Sequence, residues 1–200
     1  MEGSASAPSA SRIELEPPEW QPRALWTGSR LLCGAAAFFF VSFVFAYFYL
    51  RSLNTHGKWH PGNVDPPQAY GAAIVILFAA SAGLLAYAAD AARKGRGWLA
   101  AAGLSLVLGL AGCVVQAFEY AHIGFGPQSG GYASVFMGWT LLFVVVVLPV
   151  MYWVEILLAV GIRNRGSSGT HVPPGLGDAA FYWGVLAGIG VLAWFILYVL

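Results

Sequence analysis

The sequence predicts an all-α integral membrane bundle of five transmembrane helices, with the N-terminus in the cytoplasm and the C-terminus outside. Three observations lead to this fold class: a shortage of charge, five long apolar runs, and an uneven distribution of Lys and Arg. Of the 200 residues, 58% are hydrophobic and only 10% are charged, and the mean hydropathy is +0.69. A soluble domain carries about 25% charged residues. Because charged side chains are costly in hydrocarbon, a membrane protein explains the shortage directly.

Five runs of the chain are long enough to cross a bilayer, which takes about 20 mostly apolar residues. They lie at about 30–52, 70–92, 98–120, 133–162 and 179–200. We therefore divide the chain into a flexible cytoplasmic tail, 1–28, and a five-helix transmembrane domain, 29–200. The tail is rich in Ser, Ala, Pro and Glu. It lacks the basic start and apolar core of a cleavable secretory signal.

The positions of Lys and Arg predict the orientation, because cytoplasmic segments of membrane proteins are enriched in positive charge. The tail, the second loop and the fourth loop would share one side of the membrane, and they hold eight of the ten Lys and Arg residues. These eight are Arg12, Arg23, Arg30, Arg93, Lys94, Arg96, Arg163 and Arg165. The other side holds only Arg51 and Lys58. The side with eight is therefore expected to be cytoplasmic.

The residue pattern offers no redox or catalytic centre. No nucleophile elbow, phosphate-binding loop, dinucleotide fingerprint or metalloprotease motif is present, and a net charge of +1 does not favour nucleic acid binding. All four histidines fall in predicted loops, so none is placed to hold a haem within the bundle. Met137 and Met151 are interpreted as gap fillers, and His56 and His60 as solvated loop residues. We expect no haem, copper or other metal in this chain.

A group of polar residues ends the third apolar run, in the stretch QAFEYAHIGFG at 116–126. Gln116 and Glu119 are three residues apart, so they share one face of a helix. We expect them to anchor the following loop, 122–132, by hydrogen bonds rather than to handle protons. Asp90 lies close to the basic residues at 93–96 and is expected to pair with them at a solvated helix end.

Glu155 lies inside the fourth run, about 12 Å along the helix axis from Arg163. An ionisable residue inside a span is a functional candidate. The other interpretation is a neutral or hydrogen-bonded Glu at a subunit contact, or one wetted from the cytoplasm. Both remain open at this point. Ser42 and Ser81 are single hydroxyls within spans, and each is expected to bond back to a carbonyl of its own helix.

Three stretches of the chain resemble one known family. GCVVQAFEY, followed by a Gly-rich loop and YASVF, is similar to the family passage G…Q-x-x-E-Y/W…Y-x-S-x-F. AFYWGVLAGIGVLAWFILYVL is similar to its final helix, and FFFVSFVFAYFYLRS with the following WHP is similar to an aromatic span. The family is subunit III of the haem-copper oxidases. The chain is identified as a divergent member of its short, five-span bacterial form, over about 30–200.

The chain departs from the family pattern at three places. Phe43 follows Ser42 where the family often has Glu, and the fourth run contains no H-x-x-H. Gly184 follows Tyr182 and Trp183 where the family commonly has His. Family roles are therefore not carried over to these positions.

The resemblance implies a non-catalytic subunit of a cytochrome c oxidase-type terminal oxidase in a bacterial inner (plasma) membrane. The assembled complex would be a proton-translocating oxidoreductase of aerobic electron transport, with haems and copper in partner subunits. This chain would bind phospholipid and support the stability and proton uptake of subunit I, its main contact, beside subunit II and other respiratory subunits. The candidate structural, lipid-contact or subunit-contact residues are Gln116, Glu119, Tyr132, Ser134, Glu155, Trp183, Trp194, Tyr198 and Arg51.

Two other functions remain open. The accessory protein of nitric oxide reductases belongs to the same family and has the same five-span pattern. The third possibility, from another class, is an independent proton-coupled transporter centred on Glu155. The partner that purifies with the chain distinguishes the first two, and proton flux through the isolated chain tests the third.

Overall fold

Five long helices make up almost all of the structure, a computed structural model that describes residues 20–54, 57–60, 62, 64–164 and 172–200. They are α1 (Trp20–Ser52), α2 (Gln68–Arg93), α3 (Leu99–His122), α4 (Gly131–Arg163) and α5 (Leu176–Trp194), the last continued by a π-helical turn (Phe195–Val199). No strand occurs within these ranges. All five helices are long and apolar enough to cross a membrane, as expected of a multi-pass bundle.

When the π-helical turn is counted with α5, the helix bounds agree with the predicted spans to within three residues, except at the start of α1. That helix begins at Trp20, ten residues before the predicted span, so 20–28 are helical rather than part of a tail. The stretch WQPRALWTGS is too polar to be counted as a span by hydropathy. Pro22 is compatible with it because a proline in the first turn removes a donor that has no helical partner. The remainder of the predicted tail lies outside the described residues.

The helices α2 and α3 form the most extensively packed pair, and α2 also packs along α5. Small residues allow this close approach: a Cβ added to Gly112 of α3 would lie 2.5 Å from the ring of Phe78 on α2. Gly109 likewise leaves the space that the Met151 thioether of α4 occupies. Met151 is therefore a gap filler, as predicted.

The helix α1 lies at the edge of the bundle and contacts α4 and α5. Only 22% of its most apolar 18-residue window is buried, the lowest share among the five. An ion pair ties it to α5, with the Arg30 guanidinium 3.1 Å from the Asp178 carboxylate. Aromatic contacts tie it to α4, since the ring centroids of Phe43 and Trp139 are 5.8 Å apart.

The two ends of the bundle differ in charge. At one end, here called the basic end, α1, α3 and α5 begin and α2 and α4 finish. Asp90 at this end pairs with Lys94 at 2.6 Å and with Arg96 at 3.6 Å, which confirms the predicted helix-end pairing. At the opposite end, here called the Glu119 end, α3 finishes beside the last turn of α5. The candidate polar residues concentrate there.

Candidate functional site

Glu119 is fully buried in the last turn of α3. Its two carboxylate oxygens accept one hydrogen bond each: Oε2 from the Gln116 amide at 2.5 Å, and Oε1 from the Tyr198 hydroxyl at 2.6 Å. The spacing of three places Gln116 and Glu119 on one face, as predicted. Tyr198 lies in the π-helical turn that continues α5. We call these three residues the Glu119 cluster.

The end of α5 is held in place by side chains from two other helices. Tyr132 at the start of α4 donates its hydroxyl to the Leu197 carbonyl, and Gln68 at the start of α2 donates to the Tyr198 carbonyl at 2.5 Å. The last carbonyls of a helix have no partner within it, so these donors satisfy groups that a membrane would otherwise leave unpaired. Gly71 allows the close approach, because the Tyr198 ring occupies the space that a Cβ there would need.

The predicted role of Gln116 and Glu119 as anchors of the following loop is wrong. Their hydrogen bonds join them to each other and to α5, 79 residues away from Glu119 along the chain. The loop is held instead by backbone bonds from the amides of Gly131 and Tyr132 to the carbonyls of Lys58 and Trp59, at 3.2 and 2.9 Å. The reason is geometric: the shared face of Gln116 and Glu119 turns toward the centre of the bundle, where α5 lies.

Ser134 is a predicted site residue whose side chain does contribute to this loop. Its hydroxyl lies 2.5 Å from the Pro127 carbonyl and 3.1 Å from the Gly130 carbonyl. The side chain is exposed at the start of α4. Ser134 therefore closes the 3-10 turn, Pro127–Ser129, onto α4 and does not touch the Glu119 cluster.

A cavity of about 40 Å³ lies beside the Glu119 cluster, within the bundle. All four helices other than α1 line it, and Gln116 and Tyr198 belong to its wall. Trp139 of α4 and Trp194 of α5 line it as well. The indole nitrogens of both are buried, and no group among the described residues accepts a hydrogen bond from them. Trp194 was predicted as a site residue, whereas Trp139 was not.

Trp183 belongs to a separate polar contact deeper in the bundle. It is fully buried, and its indole nitrogen donates to the Ser81 hydroxyl at 3.0 Å. Ser81 and Ser105 donate to each other's backbone carbonyls at 2.7 Å. The prediction that Ser81 bonds back to its own helix is therefore wrong, because α3 is close enough to accept. Ser42 does bond back, to the Phe39 carbonyl at 2.6 Å.

Arg51 lies at the Glu119 end of α1, on the outside of the bundle. Its guanidinium carbon is 5.9 Å from the centroid of the Tyr47 ring. Both residues line an open cleft of about 540 Å³, together with Asp65 and Gln68. The cleft therefore combines one exposed cation, one carboxylate and an aromatic wall at the level where the helices end.

Glu155 is exposed on the outer surface of α4. It makes no hydrogen bond or ion pair with another described residue. Its neighbour Trp153 packs at the start of α5, where a Cβ on Gly175 would lie 3.5 Å from the indole. Glu155 is thus near the basic end and does not line either of the two cavities described above.

Among the described residues, no group of three His, Cys, Asp or Glu side chains is placed to hold a metal ion. His56 and His171 lie outside those residues. The Glu119 cluster itself offers a buried carboxylate with both oxygens already bonded to donors. Such an arrangement joins α3 to α5 and specifies their relative rotation.

Several contributors to this region had no signal in the sequence. Thr140 accepts a bond from the Tyr120 hydroxyl at 2.7 Å, although an isolated Thr within an apolar run predicts nothing. Gln68 lies at a helix start, where a polar residue is ordinary. Only their neighbours in space give them a role.

No protein-family model and no curated protein sequence matches the chain.

Proposed function

We propose that the chain is a non-catalytic subunit of a haem-copper terminal oxidase, corresponding to subunit III of the cytochrome c oxidase type. One observation carries the proposal. Gln116, Glu119, Tyr132 and Tyr198 come from the stretches through which the chain resembles that family, and they meet at a single place. Gln116, Glu119 and Tyr198 are the Glu119 cluster, and Tyr132 bonds to Leu197, the residue preceding Tyr198.

In this proposal, the chain contributes architecture rather than electron transfer. Subunit I, with subunit II, holds the haems and copper of the oxidase. The chain stabilises subunit I and supports its proton uptake. The exposed aromatic side of α1, with Phe38 83% and Phe45 68% exposed, supports an apolar contact surface in the membrane.

Phospholipid is the proposed ligand of the cleft at Arg51. A guanidinium at the end of a span suits a lipid phosphate, and Tyr47 and Trp59 suit the interfacial layer. Native mass spectrometry of the purified complex is expected to detect retained phospholipid, and less of it after Arg51→Gln. Equal retention in both proteins would remove Arg51 from the proposal.

The proposed orientation places the basic end in the cytoplasm of a bacterial cell, with the Glu119 end outside the inner membrane. Eight of the ten Lys and Arg residues support it. The cleft at Arg51 would then face the outer leaflet.

The test is purification of a tagged chain from its native membrane in mild detergent, followed by a visible spectrum and mass spectrometry of the partners. We expect a haem spectrum, a many-span haem-binding subunit and a copper-bearing partner. A nitric oxide reductase in their place would move the assignment to the accessory protein of that enzyme. A colourless chain that elutes alone, while other respiratory complexes stay intact, would contradict the proposal, and proton flux in liposomes would then be measured.

A further inference from the structure

The cavity beside the Glu119 cluster is lined by small residues of α2 and α5 as well as by large aromatic ones. Gly71 packs against the Tyr198 ring and Gly190 against the Phe143 ring, and both rings belong to the wall. Phe78 and Phe143 close it toward the middle of the bundle. The result is a space of about 40 Å³ that stretches from the Glu119 cluster toward the centre of the membrane.

Two hydrogen-bond donors in this wall have no acceptor. Trp139 is fully buried, and the indole nitrogens of Trp139 and Trp194 are both shielded and unpaired among the described residues. A buried N–H without a partner is unfavourable, and native proteins rarely leave one, because water or protein normally accepts from it. The two unpaired indoles come from different helices but line the same cavity.

The same wall supplies an acceptor. The Gln116 amide nitrogen is committed to Glu119 at 2.5 Å, which leaves its carbonyl oxygen without a described donor. Thr140, also in the wall, has an oxygen that already donates to the Phe136 carbonyl and accepts from Tyr120. Residues of the wall therefore carry two unpaired donors, both shielded by their surroundings, and one acceptor without a described donor. Water can both accept and donate, so it matches this set.

We propose that this cavity is a hydration site. Its waters accept from the indoles of Trp139 and Trp194 and donate to the Gln116 carbonyl. A volume of about 40 Å³ holds on the order of one to three waters. Water would then lie one side chain away from the buried Glu119 carboxylate. The inference stands on the cavity and its unpaired groups, and it does not depend on the proposed oxidase partner.

Nuclear magnetic resonance of the full chain in lipid nanodiscs, with ¹⁵N in the tryptophan indoles, tests the site. Magnetisation transfer from water to each indole N–H is measured, with the indoles assigned through bonds from the backbone so that no variant is needed. We expect transfer to both Trp139 and Trp194. Trp183 is the control, since it is as fully buried as Trp139 but donates to Ser81, and we expect no transfer there. Absence of transfer at Trp139 or at Trp194, or transfer from lipid chains instead, overturns the proposal.

A cavity-filling variant gives a second readout. Ala193→Leu adds three carbons at the wall of the cavity and is expected to abolish the transfer at both indoles. Ala117→Leu adds the same atoms to the exposed surface of α3 and should leave the transfer unchanged. Undiminished transfer in folded Ala193→Leu would contradict the inference.

Discussion

At the scale of single residues, Glu119 shows how a carboxylate is accommodated in an apolar bundle. It has no exposed surface, and each of its oxygens accepts one strong hydrogen bond. Glu155 is the opposite case, exposed on the rim and without a bonded partner in the described part of the chain. A hydropathy plot treats the two residues alike, because each is a Glu within an apolar run. Their partners make them different.

Replacing Glu119 by Ala is expected to lower the free energy of unfolding by about 3 kcal/mol. The change leaves the Gln116 amide and the Tyr198 hydroxyl buried without an acceptor, and each such group costs roughly 1–3 kcal/mol. Reversible unfolding in mixed detergent micelles measures the difference. Assembly with partner subunits should decline in parallel.

Glu155→Ala is the matched control for that experiment. It removes the same side chain from an exposed site, so a change within about 0.5 kcal/mol is expected. Equal losses from the two substitutions would show that the hydrogen bonds of Glu119 contribute nothing specific.

At the scale of the helices, small residues determine which pairs approach closely. In a membrane, lipid is as apolar as Leu, so association depends on van der Waals packing and interhelical hydrogen bonds. The α2–α3 pair has both. The ring of Phe78 packs against Gly112, and the Ser81 and Ser105 hydroxyls donate hydrogen bonds across the interface. The helix α1 is packed less tightly, and its Arg30 and Ser29 bind the Asp178 carboxylate of α5 instead.

Gly112→Ala is expected to destabilise the bundle by about 1–3 kcal/mol, because the new methyl would overlap a rigid ring and force α2 and α3 apart. A Cβ at this position would lie 2.5 Å from Phe78 Cε1 and 2.8 Å from its Cδ1. The same micellar unfolding assay measures the change.

Gly103→Ala, on the same helix, serves as its control. No atom lies within 4 Å of a Cβ placed at Gly103. The substitution should be neutral or raise stability by up to about 1 kcal/mol through helix propensity. The interface argument fails if Gly112→Ala is as stable as Gly103→Ala.

At the scale of the whole molecule, the two ends of the bundle are chemically distinct. Positive charge gathers at the basic end, and the hydrogen-bonded helix ends gather at the Glu119 end. Loops at the Glu119 end also bond to each other through the backbone of Lys58 and Trp59. The orientation of the bundle in the membrane decides which of these two ends faces the cytoplasm.

Cysteine labelling tests that orientation. In a variant with Cys33 and Cys113 replaced by Ala, Lys58→Cys should react with a membrane-impermeant maleimide in intact spheroplasts. Lys94→Cys should react only after permeabilisation, because the basic end is expected to face the cytoplasm. Both positions are exposed, so the membrane alone decides their access. The reverse pattern would invert the proposed topology.

Most of the helix bounds could be predicted from the sequence, because the length and hydropathy of a span are properties of consecutive residues. The start of α1 could not, since the segment from Trp20 is helical without being strongly apolar. The pairing of Gln116 with Glu119 was also accessible, as residues three apart share a helix face. The loop-anchor role assigned to them was wrong, because spacing along one helix does not reveal which neighbour that face meets.

The sequence by itself therefore determined the number of apolar helices, their approximate bounds and which residues share a helix face, all of which depend on local period and composition. Only the tertiary structure decided that Glu119 meets Tyr198, that Ser81 bonds across to Ser105, and that Trp139 and Trp194 line one cavity. The physical reason is that each of the five apolar helices can rotate about its own axis. Hydropathy does not determine which rotation each helix adopts. Packing of small residues against large ones, and the need to pair buried polar groups, select one.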